Sequence, residues 1–190
     1  MHSLSLKKAG ILARATTLQY GQHTDDDEYR QAMDALDYHK AEAAIDRVRD
    51  TWTQLTRRSF IRARQGDLGA ALTLFSNAEH AATTIRQRAR HLANEAHFAI
   101  LQGRAHAAAE LGIRSVLLDH TAVGGAVNAA CGLSIQRSRS GLLGLLTLLS
   151  ERVPSVLADP HWLERWENDP QLAFGRHTLS VSWKLQDRSF

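Results

Sequence analysis

The pattern Gly66-(x)4-Ala71-(x)6-Ala78 returns 37 residues later as Gly103-(x)4-Ala108-(x)6-Ser115, each copy preceded by an alanine-rich segment of helical character. Glycine at that point sets a turn, and the small residues beyond it fall where two helices touch. A unit of this kind buries its apolar face only against its neighbours, so the recurrence constrains the chain toward stacked helical hairpins. It speaks of architecture and says nothing of a reaction.

Composition sets the remaining bounds. With 44% apolar and 23% charged residues in a chain of 190, the content is that of an ordinary globular protein with one good core or two small ones. The 23 Lys and Arg against 20 Asp and Glu leave a formal charge of +3, compatible with a nucleic-acid neighbour without arguing for one. A lone cysteine, Cys131, excludes an internal disulfide framework and makes a reducing, intracellular compartment the natural home, cytoplasmic or mitochondrial. Residues 1–24 carry Lys7, Lys8 and Arg14 and no acid, with Leu4, Leu6, Ile11, Leu12 and Leu18 on one prospective helical face. This segment reads first as an amphipathic opening helix and second as a mitochondrial targeting segment. The longest apolar run, Gly141 to Leu149, falls well short of the roughly 18 residues that a membrane span needs.

Residues 25–158 are expected to form the helical body. A helical stretch runs from about Glu28 to Arg64 with Asp27 as its N-cap, and its pattern breaks near Asp37-Tyr38. Beyond the break, Ala41, Ile45 and Val48 occupy the offsets later filled by Ala71, Phe75 and Ala78, a degenerate first unit displaced by 30 residues. On these residues the segment Thr51–Leu118 resembles two tetratricopeptide-type helical hairpins: Gly66, Ala71, Phe75 and Ala78 match the turn glycine and the small, large, small series of that family. Leu92, Ala96, Gly103 and Ala108 match in the second unit, whereas Gly112 stands where a bulky side chain is expected and Ser115 replaces alanine. Arg62 and Ala99 hold a place usually given to an aromatic, and the 37-residue interval exceeds the family's usual ~34. The resemblance implies a mainly α fold and a protein that binds other proteins.

Between His120 and Ser150 the glycines Gly124, Gly125, Gly132, Gly141 and Gly144 crowd a stretch whose only charges are Arg137 and Arg139. Glycine at that density is unfavourable inside helices. An alternative α+β reading therefore places strands at 96–101, 113–118, 130–135 and 155–157 and helices at 104–111 and 141–152, the ferredoxin-like βαββαβ order. In that form the region resembles the selenium/sulfur carrier-like domains, where a Cys-Gly begins a strand: Cys131, Gly132, Leu133 and Ile135 match, while the preceding loop lacks the proline and arginine usual there. The resemblance implies a thiol carrier or enzyme-accessory domain using Cys131.

Residues 159–190 form the last segment. Asp159-Pro160 predicts a helix start, and Trp162 and Trp166 share one edge of that helix as packing anchors or partner contacts. From Leu179 to Gln186 apolar and polar residues alternate, which predicts a half-buried strand presenting Leu179, Val181, Trp183 and Leu185 to a partner.

Motifs for catalysis are not found: no phosphate-cradling loop, no nucleophile elbow, no His-Glu-x-x-His and no paired cysteines. No catalytic centre, cofactor or metal is expected. Arg86, Arg90 and Arg104 are candidates to touch phosphates from one side of a hairpin, with a solvated helix face as the plainer reading. The resulting expectation is a scaffold or assembly subunit with protein partners or copies of itself. Behind it stand the thiol carrier and, third, a subunit of an organellar ribonucleoprotein or respiratory complex.

Overall fold

The computed structural model describes residues 24–186, with side chains over 27–179, and the segment 1–23 lies outside it. The fold is mainly helical, and no strand occurs among the described residues. The chain divides into two compact units at Thr83/Thr84, inside the 25–158 stretch that the repeat pattern joins. The first unit holds α1 (Thr24–Asp34), α2 (Tyr38–Asp46), α3 (Thr51–Arg64) and α4 (Leu68–Ala81). The second holds α5 (Ile85–Leu101), α6 (Ala105–Leu118), α7 (Val123–Ile135), α8 (Arg139–Arg152), α9 (Pro154–Leu157), α10 (Pro160–Asn168), a 3-10 turn (Pro170–Leu172) and α11 (Ala173–Gln186).

One turn joins the members of four helix pairs. After α1, α3, α5 and α7 comes a residue with φ of +58° (Leu36), +86° (Gly66), +75° (Gly103) or +53° (Arg137). In each case its N–H bonds the carbonyl three residues back, and the next N–H bonds the carbonyl five back, as in Asp67 N to Arg62 O at 2.9 Å and Ser138 N to Leu133 O at 2.9 Å. This is the Schellman closure, which satisfies the last carbonyls of a helix. The following residue opens the next helix, and Asp37, Asp67 and Ser138 cap it through their side chains, whereas Arg104 makes no such bond. Five residues past each turn lie Ala41, Ala71, Ala108 and Leu142, all with no exposed surface. The unit suspected at Ala41 and Ile45 thus has the geometry of the others, and α7–α8 forms a further pair that the glycine pattern does not reveal. Asp27 is not an N-cap: α1 begins at Thr24, and the Asp27 carboxylate pairs with Arg30 at 3.0 Å within the helix.

Left-handed backbone favours glycine, and two of the four turns hold a side chain there instead. Leu36→Gly and Arg137→Gly are each expected to raise stability by ~0.5–1 kcal/mol, the relieved strain being partly offset by the extra entropy of an unfolded glycine. Urea midpoints of the two variants check this, and a loss at both sites would sink the argument.

Glycines that look unfavourable in sequence form the tightest contact of the second unit. A Cβ placed on Gly112 of α6 would lie 2.7 Å from Ala129 N and closer still to Gly125 O, both backbone atoms of α7. One placed on Gly132 would lie 2.6 Å from Ala105 O. Absence of side chains lets α6 and α7 approach along this seam, and packing recovers what helix propensity loses. The βαββαβ alternative is corrected accordingly: its strands at 96–101, 113–118, 130–135 and 155–157 fall in α5, α6, α7 and α9.

The strand expected at Leu179–Gln186 is corrected as well, since the backbone of 173–186 is one helix. With no sheet edge among the described residues to receive a strand, a helix pairs the backbone groups internally. Asp159-Pro160 does open α10, with Asp159 Oδ1 accepting from His161 N at 2.8 Å. No helix among the described residues is long and apolar enough to cross a membrane.

Candidate functional site

Helix α7 lies at the centre of the second unit, in contact with α5, α6, α8, α10, the 3-10 turn and α11. Its sequence is small and apolar on nearly every side, as a helix surrounded by others requires. The chemistry-bearing side chains of the unit collect around it. Cys131 is fully buried, with Sγ 3.9 Å from Asp169 Oδ2. That same oxygen is the acceptor of a short ion pair from Arg165 Nη2, one turn earlier on α10. Asp169 Oδ1 accepts from Gln171 N at 2.8 Å and so caps the 3-10 turn, while Arg176 Nη1 donates to the carbonyls of Trp166 at 2.6 Å and Asp169 at 2.9 Å. Across α7, Asn128 Nδ2 donates to Ala93 O of α5 at 2.8 Å.

Electrostatics make this cluster chemically quiet. Burial, reinforced by the Asp169 carboxylate, pushes the Cys131 thiol up to about 12, although Arg165 opposes the shift. The thiolate is the nucleophile, so at neutral pH this cysteine behaves as a small apolar side chain. Iodoacetamide is expected to label Cys131 in the native protein at least about a hundredfold more slowly than in the denatured chain. Labelling at the free-thiol rate would show that the cluster opens.

Burial, with the Arg165 charge adding to it, holds His97 down to about 4. Above pH ~6.5 native and unfolded chains both carry it neutral; between there and pH 4 only the unfolded chain takes up the proton. Acidification should therefore remove up to ~3 kcal/mol of stability across that window, with no further loss from this group below it. His161, lowered by burial and then by Arg165, acts in the same direction. Urea midpoints at pH 7 and pH 4.5, compared with those of His97→Gln, isolate the contribution, and an equal slope in the variant would refute it.

The residues singled out from sequence fall as follows. Trp162 is buried in the core of the second unit, and Trp166 stacks on it with ring centroids 5.5 Å apart and planes at 19°. Both spend their area on intramolecular packing. Leu179 is half-buried, and the side chains of Val181, Trp183 and Leu185 lie outside the described residues. Arg86 sits in the first turn of α5 and Arg104 just past its far end, roughly 22 Å along the axis, so they do not share one patch. Among the described residues no three His, Cys, Asp or Glu side chains converge on a metal position.

Sequence reasoning missed Arg165 and Asp169. The signal for the second was present, because Asp169-Pro170 repeats the Asp159-Pro160 dipeptide and likewise opens a helical turn. Also missed was an open groove of about 410 Å³ lined by Leu117, His120, Leu148 and Arg152. Comparison with protein-family models, with curated proteins and with solved structures finds nothing that matches the chain.

Proposed function

We propose that this chain is a non-catalytic scaffold or assembly subunit of tetratricopeptide-like construction, which presents helix faces to other proteins. The observation that carries this reading is the recurrence of one Schellman turn, with a fully buried residue five positions later, in two hairpins of each unit. Hairpins built to one plan bury one side against each other and leave the outer side to a partner. The side chains able to do chemistry are withdrawn from solvent: a protonated thiol, a neutral imidazole and a carboxylate paired with arginine. Burial of Cys131 inside a helix leaves the thiol-carrier reading without geometric support.

The test is to isolate the full chain from its native cells at native abundance and to rebuild what is found from purified components. A stoichiometric protein partner that rebinds the purified chain is the expected result. A chain that elutes alone at every concentration, or one that turns over a small molecule, would overturn the proposal.

A further inference from the structure

The groove noted above joins two features that the core does not account for. Leu117, in the last turn of α6, is 46% exposed although large and apolar, and Leu148 of α8 is half-buried beside it. Its other lining residues are His120, in the loop after α6, and Arg152, the last residue of α8. Neither His120 nor Arg152 has an ion pair or hydrogen bond to any side chain among the described residues. Nearby acids do not neutralise them. Asp119 spends Oδ1 on Thr121 N and Oγ1, both at 2.8 Å, and Glu151, adjacent to Arg152 in the helix, points to a different side. The concavity is therefore an apolar floor with an uncompensated positive rim.

Two helix C-termini meet this groove, and their carbonyl ends carry partial negative charge. A bare anion is disfavoured there, since only Arg152 would hold it against both dipoles. An occupant that binds through apolar contact and brings its acid to the rim meets neither difficulty. We propose that the groove of Leu117, His120, Leu148 and Arg152 receives an acidic amphipathic helix of a protein partner. Leucine-like side chains one turn apart enter between Leu117 and Leu148, and an Asp or Glu on the flank of the same helix meets Arg152. The inference rests on the scaffold reading and names the surface and the charge of its partner.

The experiment pans a displayed library of 16-residue amphipathic helices, with Asp, Glu, Lys and Arg equally represented on the polar face, against the full-length protein. Enriched peptides are then titrated against the ¹⁵N-labelled protein. The expected winners pair aliphatic side chains at i and i+4 with Asp or Glu beside them, and shift the amides around Leu117, His120, Leu148 and Arg152. Arg152→Glu should weaken them at least about tenfold and turn the enriched charge to Lys or Arg, and Leu117→Asp should abolish binding while the far-ultraviolet spectrum stays unchanged. Both positions are exposed, so neither variant relies on a rebuilt core. Winners that are basic, or indifferent to Arg152→Glu, or that map elsewhere on the protein would overturn the groove proposal and leave the scaffold reading standing. A library that yields no enriched helix at all would count against both.

Discussion

Gly112→Ala is expected to destabilise the second unit by at least ~3 kcal/mol, and Gly112→Leu to prevent it from folding. The added Cβ would fall 2.7 Å from Ala129 N and closer to Gly125 O, and backbone atoms inside a helix cannot rotate aside as a side chain can. Relief would require α6 to lift from α7 along the seam that also holds Gly125 and Gly132, opening the contact over its length. Thermal melts followed by circular dichroism would show the loss of the second unit's transition, and hydrogen exchange would locate it. An alanine variant within ~0.5 kcal/mol of the native protein would show that the two helices do not touch at this point. The family resemblance places a bulky side chain at this position, so the outcome also separates the chain's own packing from the family's.

In the first unit, Phe75→Ala should cost ~3–5 kcal/mol, the usual loss when a buried aromatic leaves a cavity. Phe75 is buried on α4 between Ala71 and Ala78, neither of which has exposed surface. Ala71→Leu should destabilise by the opposite route, overpacking. A loss under ~1 kcal/mol for Phe75→Ala would mean that the ring is not closing the hairpin. Because the two substitutions lie in different units from Gly112 and its seam, a two-step melt should show each acting on its own step.

Glycine was the legible part of the fold, but only where it marks a left-handed residue. Gly66 and Gly103 announce their turns, and the buried positions after them follow from the spacing. Leu36 and Arg137 make the same turn without the residue that would reveal it, so the pair α7–α8 and the interval of 34 residues from Gly103 to Arg137 stay hidden. Inside helices the same amino acid misleads: Gly112, Gly125 and Gly132 read as helix breakers until the partner backbone they admit is known. The period-two tail fails for a related reason, since a strand pattern means little where no sheet can receive it. Thr84 with Gln87 forms a capping box at the start of the second unit, a local signal that spacing arguments centred on the turns pass over. At the buried cluster, Cys131 was visible by its rarity, whereas Arg165 and His97 are ordinary residues on amphipathic helices. Only the tertiary fold brings them around α7.

The order in which α7 acquires its neighbours gives the cysteine a meaning during synthesis. Helices α5 and α6 precede α7 in the chain, but the Asp169 carboxylate, Leu172 and the Gly175 amide that bonds Ser134 Oγ at 3.3 Å all come after it. Until the ribosome has released them, the Cys131 face of α7 has no cover, and its thiol there has the acidity and reactivity of any free cysteine. Closure by the later helices is the event that silences it. Cys131 is thus a built-in chronometer: a thiol-reactive pulse given to nascent chains of increasing length would record the moment at which the second unit becomes complete.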